Sequence, residues 1–247
     1  MRMRRYLDCA RLNLRVLRLF VQNRWVHSRD VARSYDRLAP NYDRTWLIHL
    51  ESVTHQLLDA CPRNLPGGPL LDLGCGTGHA ALRLAARFPD RCIEACDLSP
   101  GMIAEARRHA GADAITWHVA DIRAFLSTRP AASAALAIAA WSAGYGDFLR
   151  ICRSTFRALI PGGCLALVVN LDDTIAPLRR AFRYCMQSHS AELRYLARFP
   201  FPRSSAAVRH DLLAAGFLIA HFEDGFCPIE PPPSPDGRRL PWFLRSG

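Results

Sequence analysis

Three glycines at alternate positions, Gly74, Gly76 and Gly78, follow an apolar run in LLDLGCGTGHA, residues 70–80. Glycine lets a chain fold back tightly and lets a ligand touch main chain, and the free amides of a helix starting there present a weakly positive end. The dinucleotide pattern G-x-G-x-x-G is not met: the third glycine comes one residue early and His79 holds the place of the last, giving G-x-G-x-G. About 20 residues further on, at the usual distance of a ribose-binding carboxylate, stands Asp97. Asp97 suits two ribose hydroxyls, and Asp121 suits the exocyclic amine of an adenine. Taken singly, each aspartate also reads as a helix cap or a surface residue. Together, at the ends of successive strands flanking the glycine turn, they describe a nucleoside cleft.

Such groups meet only if the chain alternates between strand and helix, and from residue 69 it does. LLDLG, RCIEACDL, ITWHVAD, ALAIAAW and GGCLALVVN read as five strands, with HAALRLAARF, SPGMIAEARRHA and DFLRICRSTFRAL as helices between them. Strands separated by helices of about ten residues require parallel pairing and right-handed crossovers. The expected fold is a doubly wound α/β sheet. After Asn170 helical material intervenes, SSAAVRHDLLAAGF resumes as a helix ended by Gly216, LIAHFEDGF reads as a sixth strand, and PWFLRSG as a short last one. Before the sheet, residues 1–25 carry a stripe of Arg4, Asp8, Arg11, Arg15, Arg18 and Gln22 opposite Leu7, Leu14, Leu17, Phe20 and Val21, the pattern of an amphipathic helix. SRDVARSYDRLAPNYDRTW follows, with Asp30 read as a cap, Pro40 as a breaker, and two Tyr-Asp pairs seven residues apart.

In order, LLDLGCGTG, CDLSPGM, VADI and LIPGGCLALVV resemble the motifs of class I S-adenosylmethionine-dependent methyltransferases over residues 69–170. YDRLAPNYD, and YLARFPFPRSSAAVRHDLLAAGF beyond the fifth strand, are similar to ubiquinone/menaquinone-type and small-molecule methyltransferases. The resemblance implies a Rossmann-like, mostly parallel seven-stranded sheet with an N-terminal helical extension, and S-adenosyl-L-methionine as cofactor. It implies a helical segment and lid over 1–50 and the methyltransferase domain over 51–247, with an insertion at about 171–204. It places main chain at Gly74, Gly76 and Gly78, with Cys75 and Thr77 in the same turn, against the methionyl part, and Asp72 beneath, ordering the loop. Asp97 then holds the ribose, Leu98 and Met102 the adenine faces, and Asp121 with Ile122 the adenine edge; Tyr35 and Tyr42 close the cleft. Two departures, the missing aspartate at the start of the fourth strand and a WSAGYGDF loop without the histidines of quinone-modifying relatives, bear on the acceptor more than on the cofactor.

The net charge of +10 is concentrated at one end, since nine arginines stand against Asp8 and Asp30 in residues 1–34. The nearly neutral remainder offers no basic track for a nucleic acid backbone. Three readings fit the basic helix: docking on the domain or on a second subunit, lying on an anionic membrane surface, or an organelle-targeting presequence. Nine cysteines without a CxxC pair, and no His/Cys cluster at metal-ligand spacing, predict reduced buried thiols, no metal and a cytoplasmic location, at most peripheral to a membrane.

Methyl transfer from a sulfonium is an in-line displacement, so positioning does most of the work, and a base is needed only where the acceptor carries a proton. His118, His79, Tyr145 and Asp147 are the candidates for that base. The acceptor wall is expected from Trp46, Trp141, Tyr145, Phe182, Tyr184 and Tyr195, which suit a small, partly apolar or aromatic acceptor such as a quinone precursor, a lipid head group or a specialised metabolite. Two alternatives stand beside this: a member of the fold catalysing a cyclisation or rearrangement, and a non-catalytic subunit supporting a partner.

Overall fold

The runs LLDL and AALAIAA form the two central strands because they are apolar on both faces, as a sheet covered by helices on each side demands. The computed structural model describes residues 2–110, 115–174, 176–197 and 201–227. Among these, β1 (Leu70–Leu73), β2 (Ile93–Asp97), β3 (Ile115–Val119), β4 (Ala134–Ala140) and β5 (Leu159–Val168) form one parallel sheet ordered β3-β2-β1-β4-β5. The helices are α1 (Arg2–Val21), α2 (Ser28–Leu38), α3 (Ile48–Ala60), α4 (His79–Arg87), α5 (Pro100–His109), α6 (Ile122–Ser127), α7 (Phe148–Ala158), α8 (Ala176–Ser188) and α9 (Ser205–Ala215).

Alternation along β1 assigns the two layers. Leu71 and Leu73 pack with Phe125 and Leu126 of α6 and Ile151 and Cys152 of α7. Leu70 packs instead with Leu58 of α3, Leu84 of α4 and Ile103 of α5. Winding reverses between β1 and β4, so the crevice beyond their carboxyl ends is where a ligand binds in such sheets. Two loops border it: the glycine turn after β1 and residues 141–147 after β4.

Among the described residues five of the expected seven strands are present. Residues 217–227 form no strand: Phe217 turns onto Phe156 of α7, with ring centroids 5.2 Å apart, and Phe222 stacks under Arg209, while Leu218 and Phe226 are each 96% exposed. The apolar alternation there serves helix packing rather than a ladder. The expected last strand, at 241–247, lies outside the described residues. Asp30 is not the cap of α2 but its third residue. His27 occupies the cap, and its amide donates to Asp30 Oδ2 at 2.9 Å.

The helical material after β5 does not close over the crevice. It meets α1 instead: Arg15 Nε donates to the Leu193 carbonyl at 2.8 Å, Trp25 bridges to Leu196, and Arg24 stacks on the Tyr195 ring. Phe182, Tyr184 and Tyr195, expected in the acceptor wall, therefore belong to this outer annex, where each is about half exposed or more.

Candidate active site

The glycine turn answers to two different demands. A Cβ on Gly74 would lie 2.4 Å from Ser142 Cβ, and one on Gly78 would lie 2.7 Å from the Trp117 ring. Protein neighbours take those two spaces. A Cβ on Gly76 would meet nothing within 4 Å, so its main chain alone is bare toward open space. All three have positive φ, at +77°, +54° and +89°, which residues with a side chain adopt only at a cost.

Asp97 fastens this turn. Its Oδ2 accepts from the Gly76 amide at 2.9 Å and its Oδ1 from the Ser99 amide at 2.8 Å, while the Cys96 carbonyl accepts from Gly74 and Cys75. Ser142 Oγ donates to the Leu73 carbonyl from the β4 side. Asp72 does not order the loop, contrary to expectation: it is 1% exposed, and neither carboxylate oxygen has a hydrogen-bond partner. Burial pushes its pKa up to about 7 and the charge of Asp97 adds to the rise; the Ala81 amide offsets part of it without reaching hydrogen-bond geometry.

The two Tyr-Asp pairs explain each other. A spacing of seven sets both pairs on one side of the segment, and each aspartate holds a different loop. Asp36 Oδ1 accepts from Ser99 Oγ at 2.6 Å and from the Gly101 amide at 2.8 Å, at the start of α5. Asp43 Oδ1 accepts from Thr77 Oγ1 at 2.5 Å, in the glycine turn. The tyrosines meet the β4 loop: Tyr35 Oη donates to Tyr145 Oη at 3.2 Å, Tyr35 lies beside Tyr42, and Tyr145 packs edge-on against Phe201. Burial, and then the neighbouring Tyr145, raise the phenol pKa of Tyr35 and Tyr42, so both stay protonated donors. Nothing in the sequence marks Phe201, and only the repeat of Tyr-Asp at seven residues signals Asp36 and Asp43.

Between the segment and the sheet lies a recess of about 420 Å³, its open mouth included. It gathers Tyr42, Asp72, Gly74, Cys75, Gly76, Thr77, His79 and Trp141 with the unforeseen Leu47, Leu50 and Thr54. Trp141, at φ +64°, donates from Nε1 to Thr54 Oγ1 at 3.1 Å. Trp46 does not line the recess. Asp97, Leu98, Asp121 and Ile122 follow along the rim of β2 and β3, and Ile122 comes within 3.5 Å of the space beside Gly74. Asp121 Oδ1 accepts from the amides of Arg123 and Ala124 and so caps α6, while Met102 is sealed from solvent.

All four base candidates have other neighbours. Asp147 caps α7 through the Arg150 amide, and His118 Nε2 lies 3.2 Å from Glu94, which also pairs with Arg129, at ion-pair distance but without hydrogen-bond geometry. Tyr145 belongs to the aromatic cluster. His79 faces His55 across the α3–α4 contact, Nε2 to Nε2 at 2.9 Å, with the rings nearly coplanar and 5.1 Å between centroids. That is a head-to-head hydrogen bond, in which one nitrogen must be a neutral acceptor. Glu51 completes the set whose ligand atoms lie within 4.8 Å of one another, but the two imidazoles aim at each other rather than at a shared ion.

Burial lowers the His79 pKa, followed by the charges of His55 and Arg83, against the opposing pull of Glu51 and Asp43. A histidine whose folded pKa is lowered stabilises the fold above its unfolded value, about 6.5, and that contribution is lost as pH falls through the folded pKa. Thermal melting of the wild type is therefore expected to decline on acidification below about pH 6.5, and His79→Gln to flatten that decline. Parallel slopes for the two proteins would refute the assignment.

The sheet order, the reversal between β1 and β4, and a glycine turn fastened by a carboxylate from the next strand define a Rossmann-like nucleoside-binding protein. Residues 70–163 match the family model described as a methyltransferase domain. The chain is 33% identical over 204 residues to a malonyl-[acyl-carrier protein] O-methyltransferase of Dechloromonas aromatica, covering 78% of this chain and 71% of that one. It is 38% identical over 117 residues to a trans-aconitate 2-methyltransferase of Methylobacterium nodulans, covering 46% and 42%. An S-adenosylmethionine-dependent methyltransferase from Mesorhizobium loti aligns with a TM-score of 0.54 and 26% identity, over 73% and 88% of the two chains. The chain belongs to the class I S-adenosylmethionine-dependent methyltransferases. Its cofactor is S-adenosyl-L-methionine.

The residues present fit that cofactor on two counts. A buried carboxylate with unpartnered oxygens lines the recess, as a ligand ammonium requires, and the main chain beside it at Gly76 is open.

Proposed function

We propose that the protein transfers a methyl group from S-adenosylmethionine to an oxygen of a small, partly apolar acceptor that reaches the site already anionic, such as a carboxylate. When bound, the cofactor supplies an electrophilic methyl group on a sulfonium. Asp72 would hold its ammonium, the bare main chain at Gly76 its methionyl stem, Asp97 its ribose, and Asp121 with the main chain of Ile122 its adenine edge. The observation that carries the reading of the acceptor is the cluster of Tyr35, Tyr42 and Tyr145 over the crevice. Two of these phenols, Tyr35 and Tyr42, are held protonated and so do not take the acceptor's proton: Tyr42 donates to an acceptor oxygen, while Tyr35 donates to Tyr145 and fixes the hydroxyl of that residue beside it. Tyr145 and Phe201 supply flat apolar surface beside them.

A carboxylate needs no general base, which suits a site where Asp147 and His118 are committed elsewhere. The names of the relatives support the same chemistry, an O-methyltransferase acting on malonyl-[acyl-carrier protein] and a methyltransferase acting on trans-aconitate. Incubation with methyl-labelled cofactor and a panel of carboxylic acids, phenols and quinol precursors tests this. Label is expected in carboxyl esters, and Tyr35→Phe is expected to lower kcat/KM for the acceptor about tenfold or more, with cofactor affinity unchanged. Label only on carbon or nitrogen would overturn the acceptor class; cofactor consumption without label transfer would instead favour a rearrangement.

A further inference from the structure

Helix α1 is docked by a narrow face and leaves a wide apolar one uncovered. Leu12 and Leu19, seven residues apart, are 8% and 2% exposed, and Arg15 between them bonds to Leu193. Around the other side Tyr6, Leu7, Leu14, Leu17, Phe20 and Val21 are 54% to 76% exposed. At 100° per residue these six fall within one arc of about 140°, in which Asn13 is the one polar residue among the described side chains and which is bordered on one side by Arg11 and Arg18. Six large apolar side chains on a single exposed helix face are more than a soluble surface ordinarily carries.

Charge identifies what covers that face. Residues 1–27 and 171–197, the annex built around α1 and α8, hold 11 arginines against four acids, so this annex carries +7 of the net +10. A second copy would bring two such annexes together and repel. An anionic surface that is also apolar below its charges satisfies both features at once. Phe182, Arg180 and Arg183 of the adjoining α8 are exposed as well. No helix among the described residues is long and apolar enough to cross a bilayer. We propose that α1 lies in the plane of an anionic membrane surface, its leucines and aromatic rings immersed at the headgroup boundary and its arginines paired with lipid phosphates.

Co-sedimentation of the full chain with vesicles tests this. Binding is expected to vesicles of equimolar phosphatidylcholine and phosphatidylglycerol, to weaken as salt is raised, and to be far weaker with phosphatidylcholine alone. Leu14→Glu with Leu17→Glu is expected to cut binding about tenfold or more, with cofactor affinity and melting temperature unchanged because both side chains face outward. Three results would each overturn the proposal: no sedimentation with anionic vesicles, equal binding by the double variant, or light scattering that shows a dimer dissolved by the same substitutions in the absence of vesicle binding. A protein partner that binds through α1 while vesicles do not would overturn it equally.

Discussion

Asp72→Asn is expected to weaken S-adenosylmethionine binding about a hundredfold while making the free protein more stable at and above neutral pH. Both effects come from one buried carboxyl without a hydrogen-bond partner. Its folded pKa of about 7 stands above the usual 3.8, so the folded state binds the proton more tightly than the unfolded chain does. Stability from this group is complete below pH 3.8 and is lost as pH rises through about 7. That interval corresponds to at most about 4 kcal/mol, which asparagine, unable to ionise, would recover. For cofactor binding the sign reverses, because an ammonium needs the ionised form: affinity of the wild type should rise with pH up to about 7 and then level off. Calorimetry of cofactor binding and thermal melting across that range check both halves. Unchanged affinity in the variant would remove Asp72 from the site.

Gly76→Ala and Gly74→Ala should fail in opposite ways. At Gly76 the new methyl group meets no protein atom within 4 Å, so the fold loses only the left-handed backbone cost of about 1 to 2 kcal/mol. Cofactor binding, however, should fall below detection, because the methyl group fills the open space where the ligand must touch main chain. At Gly74 the methyl group lies 2.4 Å from Ser142 Cβ, on a residue whose hydroxyl is already bonded to Leu73. Overpacking and backbone cost together amount to about 2 to 5 kcal/mol, and the protein should melt well below the wild type. Melting curves and binding titrations on the two variants separate the cases. An alanine at residue 76 that still binds cofactor would show that the ligand passes elsewhere.

What the sequence disclosed, and what it hid, follows from how local each signal is. The strand–turn–helix from Leu70 to Arg87 is legible because apolar run, glycines and amphipathic helix are contiguous. Asp97 is legible from its distance to the turn, although its bonds to Gly76 and Ser99 make it a fastener of the loop as well as a candidate for the ribose. The glycines themselves look alike in sequence. A side chain absent to admit a ligand cannot be told from one absent to admit Ser142 or Trp117, which arrive from residues 39 and more positions away. Asp36 and Asp43 read as solvated charges because Ser99 and Thr77, which donate to them, lie 63 and 34 residues further on. Helix α3, carrying His55 and Thr54, shows no clear apolar face in sequence, since polar residues fall on several of its faces. The apolar alternation at 217–222 misled for the reason that periodicity names a buried face without naming the partner.

The paired clasps of Asp36 and Asp43 have a kinetic corollary. One carboxylate is anchored at the mouth of α5 and the other at the glycine turn, so residues 36–43 span the crevice like a strap buckled at both ends. Undoing either buckle would widen the way out for a molecule seated beneath. The dwell time of the cofactor is then expected to depend on two aspartates that need never touch it.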